Sequence, residues 1–269
     1  MKMMNMAAAV MALAWLGAPG RAGAQENPYD VLGKTLVPIA SVFAFDPTAD
    51  LSGSSAAIPG HALVLDAHII GATNLPPALQ GQVAHFALQA PDKLLVQAPI
   101  AGQMLTVCRN GDSFWATPGS QIQALLDQAA AAGTPEKKKK KHGADNLLRP
   151  LALPIRQKEL VFLPILFQVA DAGSEAIGAQ QCRVLDVQFM PPLAKSTHTQ
   201  DWTARLWVGP DYGIAQFALT GPNWTGKFAI DKLTLPPSLP DAAFQPQGTD
   251  VLVLTAEQFL ALMARLGRG

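Results

Sequence analysis

The side chains able to do chemistry are few and scattered. Asp66, His68 and His85 stand on two segments, residues 61–70 and 82–90, in which apolar and polar residues alternate with period two. Pairing them as a hairpin about the turn at 74–79 sets Leu63, Leu65, Ala67 and Ile69 against Ala90, Leu88, Phe86 and Ala84 on one face. The same register sets His68 opposite His85 on the other face, with Asp66 nearby. Two imidazoles and a carboxylate are donors that a borderline metal accepts. No further strong ligand accompanies them, and an ordinary solvated sheet face accounts for all three, so neither a metal nor another cofactor is expected. Ser196, His198 and Asp201 have the residue types of a hydrolytic triad. They share one polar loop without an oxyanion-hole sequence, and adjacency does not supply triad geometry. No nucleophile elbow, zinc helix, cysteine knuckle or phosphate loop occurs, and no convincing carboxylate pair. This shifts the expectation from catalysis to binding, and the chain is read as a non-enzyme.

The elements that would position a binding site are better defined. A chain of 269 residues, 49% hydrophobic and 15% charged, can bury a large core unaided by metals. Twenty basic residues balance twenty acidic ones, so there is no concentrated basic face for nucleic acid. Lys2, the apolar run 6–16 and the small residues Ala22-Gly23-Ala24 have the form of a cleavable secretory signal over residues 1–24, which predicts export to the periplasm of a Gram-negative bacterium. An oxidising compartment makes Cys108 and Cys182 a candidate disulfide; the alternative is two small buried thiols. The run Lys137 to Lys141, in an insertion near 133–145, reads as a solvated loop or as a docking point for anionic headgroups.

Residues 29–45 predict an amphipathic helix entered through Asn27-Pro28 and kinked or divided by Pro38. Residues 94–98 form a strand. The segments 104–109 and 112–117 form a hairpin about Asn110-Gly111, which suits a type I′ turn. Residues 121–132 are helical, and 147–170 are short helices cut by Pro150, Pro154 and Pro164, the natural place for a lid where a hydrophobic ligand enters. From Gln181 strands resume, with Leu185, Val187 and Phe189 facing inward, and 190–199 is a loop. A hairpin from 202–208 to 213–220 leads into a strand at 227–235. There the apolar phase switches from Phe228 and Ile230 to Leu233 and Leu235, predicting a bulge near Asp231 or Lys232. Residues 255–269 carry a C-terminal amphipathic helix capped by Thr255, with Phe259, Leu260, Met263 and Leu266 on one side.

Phe86 to Leu95 (FALQAPDKLL), Val107 to Pro118 (VCRNGDSFWATP), the strand at 204–208, the segment 226–235, Leu239 to Phe244 (LPDAAF) and 248–251 follow one another in an order that resembles the LolA/LolB-like family of periplasmic lipoprotein carriers and their outer-membrane lipoprotein-sorting relatives. The resemblance covers most of residues 25–254. It implies an α+β, mainly β fold: a curved, incompletely closed antiparallel β-barrel with helices over its concave face. It also implies a cavity for the acyl chains of a lipid or lipoprotein, carried toward the outer membrane with transient contact to a membrane or envelope protein. Candidate lining residues are Leu63, Leu65, Phe86, Leu88, Val107 and Phe114 from the first half, and Leu185, Val187, Phe189 and Phe217 from the second. Residue by residue, plain core packing is the simpler account of each. An envelope interaction or sensor protein on the same fold is the alternative function.

Overall fold

In the computed structural model the described residues are 26–44, 62–73, 80–100, 103–131, 151 and 156–266. The expected signal segment, the lysine run and the turn at 74–79 lie outside them. Helix α1, Pro28–Ser41, begins where the Asn27 side chain accepts a hydrogen bond from the Tyr29 amide at 2.9 Å, with proline in the first turn. It continues through Pro38 without dividing. The proline falls in the last turn, where it removes one helical bond, while Val31, Leu32, Thr35 and Ala40 are buried and hold the helix.

Eleven strands follow: β1 Ala62–Thr73, β2 Val83–Gln89, β3 Lys93–Ile100, β4 Gln103–Asn110, β5 Ser113–Thr117, β6 Phe167–Ile177, β7 Gln180–Phe189, β8 Thr203–Val208, β9 Ile214–Thr220, β10 Thr225–Thr234 and β11 Leu252–Leu254. They form one antiparallel sheet in the order β11-β5-β4-β3-β2-β1-β10-β9-β8-β7-β6. The edge strands β11 and β6 do not pair with each other, so the sheet is an incomplete barrel. Helix α2, Gly119–Ala131, and helix α4, Ala256–Leu266, pack on the same face as α1, since Ile122, Phe259 and Leu262 share a buried cluster with Ile39 and Val42. The short helix α3, Pro191–Thr197, follows β7. Two 3₁₀ segments, Gln157–Leu166 and Asp241–Phe244, complete the described chain.

The junction of β1 and β10 bends as its sequence requires. Asp66 pairs with Lys232 and Ala67 with Ile230, which leaves Asp231 as the extra residue of a bulge. The bulge absorbs the switch of phase, and Phe228, Ile230 and Leu233 all lie across from the odd-numbered residues of β1.

Several expectations need correction. In the β1–β2 pair Leu63 faces Leu88, Leu65 faces Phe86, Asp66 faces His85 and His68 faces Val83, two residues away from the expected register. An even shift leaves each apolar set on its own face, so the hydrophobic pattern cannot choose between the two registers. In the β4–β5 hairpin Asn110 pairs with Ser113, and the positive φ of 62° falls on Gly111 alone, so the loop is Gly111-Asp112 and the turn is not type I′. Residues 167–170, expected to be helical, begin the edge strand β6. The loop expected at 190–199 contains α3, with prolines in its first turn and His198 ending it at a φ of 57°. On α4 the Thr255 cap is present: Thr255 Oγ1 accepts from the Gln258 amide at 3.2 Å, and Gln258 Oε1 accepts from the Thr255 amide at 2.8 Å. Leu260, however, is 37% exposed, and Leu262 takes the buried position beside Phe259.

Candidate functional site

The face of the sheet beneath α1 is mostly apolar, with Arg109 at one end and the Asp171–Arg183 ion pair at the other, and it is not packed uniformly. At one end Leu63, Leu88, Val107 and Phe114 are buried together, with Phe86 half-buried against them and α2 and α4 closing over the top. At the other end Leu185 and Val187 are buried with Leu206 and Val208, and Phe217 lies against them. Helix α1 bridges the two clusters. Val31, Leu32 and Leu36 belong to the second cluster, and Ile39, with Val42 and Phe43 just beyond the helix, to the first. These α1 positions were legible as one face of an amphipathic helix, but their bridging role was not.

Between the clusters lies a seam formed by the middle of β1, β10 and β9. Leu65 faces Leu233, Ile69 faces Phe228, and Phe228 faces Phe217, with the two phenyl rings stacked 4.6 Å apart at 11°. Leu65, Ile69, Phe86, Phe217 and Phe228 are all half-buried. Thr35 stands on α1 between the bridging positions. It is 3% exposed, and its hydroxyl has no hydrogen-bond partner among the described residues. A buried hydroxyl left unpaired costs about 1–3 kcal/mol.

Thus the ten candidate lining residues divide: five meet in the first cluster, three in the second, and Leu65 sits in the seam. Phe189 is apart, 36% exposed and stacked on Phe167 with ring centres 5.1 Å apart.

Beside that aromatic stack the 3₁₀ segment Gln157–Leu166 presents a second apolar surface. Leu160 is buried, and Pro164 packs so closely on α1 that a Cβ at Gly33 would lie 3.2 Å from its Cγ. On the outer side Val161, Phe162 and Ile165 are 66%, 62% and 65% exposed. The Met190 amide donates to the Leu166 carbonyl at 2.9 Å, so the half-exposed Leu166, Phe189 and Met190 continue the patch. Clustering of large apolar side chains on one short element, unlike scattered exposure, marks a surface that meets something apolar.

The start of α1 is held by a polar triangle. Lys34 Nζ donates to Glu26 Oε1 at 2.6 Å and to the Tyr212 hydroxyl at 2.9 Å, and that hydroxyl donates to Glu26 Oε2 at 3.1 Å. Tyr212 makes this contact from a left-handed backbone with φ 64°, a conformation rare for a bulky residue. The Lys34 ammonium holds the Glu26 carboxyl below its ordinary value, and the Glu26 carboxylate, with the Tyr212 hydroxyl, raises Lys34 above its own. The triangle therefore stabilises the fold above the ordinary glutamate value of 4.5 and loses that contribution as the pH falls through the depressed folded value. The lysine side is complete below 10.5 and is lost as the pH rises through the raised value. Amide exchange at Val31 and Leu32, corrected for its intrinsic pH dependence, is expected to quicken below pH 4.5 relative to neutral pH. Glu26→Gln should remove that difference, and an unchanged acid response in the variant would assign it to another group.

The remaining reactive side chains serve structure. His85 Nδ1 makes a close contact with Asp66, and His68 Nδ1 lies 2.8 Å from Asp231 Oδ2, so each histidine takes its own carboxylate across the sheet. Ser196 Oγ donates to the Leu193 carbonyl at 2.9 Å, and His198 is the left-handed cap of α3, which leaves no triad there.

Cys108 and Cys182 are free and fully buried on β4 and β7, which are far apart in the strand order. Cys108 packs with Trp115 and Phe244, and Cys182 with Val184 and Trp207, so the candidate disulfide gives way to two separate thiols. Burial pushes the Cys108 thiol up to about 12 and also raises Cys182. A thiol that cannot ionise is a poor nucleophile. Neither cysteine should react with a maleimide in the native protein at neutral pH, and both should react after denaturation, as intact-mass measurement will show.

Among the described residues no helix is long and apolar enough to cross a membrane. No protein-family model and no curated protein matches the chain. Solved structures with a similar arrangement include the lipoprotein LppX of Mycobacterium tuberculosis, at 9% identity over 76% of this chain and 93% of that one, with a TM-score of 0.38. MucB of Pseudomonas aeruginosa, in a complex with MucA, matches at 10% identity over 85% of this chain and 63% of its own, with a TM-score of 0.36. A LolA superfamily protein of Nitrosomonas europaea matches at 10% identity over 81% of this chain and 97% of its own, with a TM-score of 0.28. At these identities the likeness concerns the arrangement of strands and helices and nothing finer.

Proposed function

We propose that this protein is a periplasmic carrier that holds the acyl chains of a lipid or lipoprotein between α1 and the sheet and conveys them toward the outer membrane. The half-buried seam carries the reading. Leu65, Ile69, Phe217 and Phe228 form an apolar strip between two sealed clusters, beneath a helix that touches both. An acyl chain laid along the strip gains about 0.8 kcal/mol per methylene removed from water. Leu63, Phe86, Leu88, Val107 and Phe114 would wall one end of the site, and Leu185 and Val187 the other, with Phe189 outside it. Thr35 offers a carboxyl or ester oxygen a hydrogen bond from a hydroxyl that has no partner among the described residues. The outward face of the 3₁₀ segment, with Val161, Phe162 and Ile165, is the way in, because it is apolar, exposed to a bilayer's approach and leans on α1. In this reading residues 1–24 direct export, 25–254 form the carrier body and 255–269 its terminal helix, with no catalytic step.

The test is transfer of a fluorescent fatty acid from phospholipid vesicles, followed by the change in its emission on leaving the bilayer. Saturable transfer is expected. Its absence, together with no uptake of the same probe from solution, would exclude a carrier.

A further inference from the structure

The opposite face of the same sheet carries a different kind of site. There β6 to β10, together with Tyr29 of α1, line an open groove of about 810 Å³, within the range of small-molecule sites. The strand register arranges its side chains in two rows. In the first, Ala170 pairs with Asp186, Asp186 with Arg205, Arg205 with Ala218, and Ala218 with Lys227. In the second, one step along the strands, Gln168 pairs with Gln188, while Thr203 pairs with Thr220 and Thr220 with Thr225. Five strands at their ordinary separation span ~19 Å, so the rows line an elongated groove.

Eight of the thirteen lining residues carry hydrogen-bonding side chains that are not aromatic. An acyl chain is a poor fit, because the Gln168 and Gln188 amides and the Thr203 hydroxyl would lose water and gain no partner. An anion is also a poor fit. Arg205 is already engaged by Asp186 in a bidentate pair, Nε to Oδ1 at 2.6 Å and Nη2 to Oδ2 at 2.9 Å, and Lys227 rests 4.1 Å above the Trp207 ring. A phosphate would have to displace Asp186 from its partner.

The groove instead offers donors and acceptors side by side in a nearly neutral setting. The amides of Gln168 and Gln188 and the hydroxyl of Thr203 make no side-chain hydrogen bond among the described residues. Each amide both donates and accepts, as does each hydroxyl. That is the complement of a ligand whose own hydroxyls do both along its length.

The geometry points to an oligosaccharide site in this groove, independent of the lipid reading and on the other side of the sheet. Trp207 gives a local reporter, because its indole N–H donates to Glu175 Oε2 at 2.7 Å beside the cavity. Chitotetraose, maltotetraose and cellotetraose are titrated separately into nitrogen-15-labelled protein, with inorganic phosphate as the anionic control. At least one tetrasaccharide should shift the Trp207 indole resonance saturably at millimolar concentration. Gln168→Ala/Gln188→Ala, at two exposed positions where the fold tolerates change, should raise that Kd by about tenfold or more. Thr203→Val, tested separately, should also weaken binding. No shift with any tetrasaccharide, an equal shift in both variants, or a shift with phosphate alone would overturn the assignment. Fatty acid transfer should be unchanged in the variants, which separates failure here from failure of the carrier reading.

Discussion

Phe162→Asp combined with Ile165→Asp should cut the rate of fatty acid transfer from vesicles by about 30-fold or more while leaving thermal stability nearly untouched. Burying a large apolar side chain is worth ~1.5–3 kcal/mol, and these two already expose about two-thirds of their surface to water. Docking both in a bilayer therefore recovers on the order of 2–4 kcal/mol, and each 1.4 kcal/mol is tenfold. Two carboxylates in their place forfeit this gain and add repulsion from an anionic leaflet. In the folded protein the same side chains point away from the core, so stability should change by no more than ~0.5 kcal/mol per position. Uptake of monomeric fatty acid from solution should persist, because the seam itself is intact. If transfer from vesicles is unchanged in the double variant, the 3₁₀ segment is not the portal.

The largest loss of stability is expected on the other side of the sheet, at Phe244. Its ring is fully buried with Ala87, Leu95, Cys108 and Trp115. Its carbonyl accepts from Trp115 Nε1 at 3.0 Å and from Cys108 Sγ at 3.5 Å, so the backbone of the 3₁₀ segment Asp241–Phe244 is fastened to β5 and β4 at the point where the ring plugs the cluster. Lys93 Nζ holds Asp241 at 2.5 Å and fixes the start of that segment. Phe244→Ala should cost about 3–5 kcal/mol, from lost transfer energy and the cavity left behind. For a chain of this size that is a fall in Tm of roughly 6–20 °C. Phe244→Leu, which keeps most of the volume, should cost far less. Calorimetry decides the matter, and a loss below about 1 kcal/mol for the alanine variant would mean that the cluster collapses around the gap.

Much of this architecture is written in local patterns. The alternation in β1 and β2 determines which face is apolar, and the break in phase at Asp231 forecasts the bulge that keeps Phe228 and Leu233 on one side. Thr255 and Gln258 specify the start of α4 through reciprocal bonds that need only their spacing. What was illegible has physical causes. Strand β6 escaped because only Phe167 and Val169 of this edge strand pack on the second cluster, and the exposed remainder shows little alternation. Helix α3 escaped because Pro191-Pro192 reads as a loop although proline is well suited to a first helical turn. Phe189 alternates correctly with Leu185 and Val187, yet it lies at the strand end beyond the reach of α1.

The candidate site divides in the same way. Its apolar residues were legible from periodicity, but the distinction between sealed clusters and an open seam was not, because it depends on where one helix crosses a sheet of eleven strands. The polar groove on the far face was equally hidden, since Gln168, Arg205 and Lys227 are distant in sequence and meet only through strand register.

The central claim is that an acyl chain occupies the seam beneath α1. Native mass spectrometry of protein purified from the envelope of an expressing Gram-negative host, before and after extraction with organic solvent, tests it most directly. A population heavier than the polypeptide by the mass of one or more lipids is expected, which extraction removes and Phe217→Asp prevents. A single species at the mass of the polypeptide alone, unchanged by extraction and by incubation with fatty acid, would contradict it.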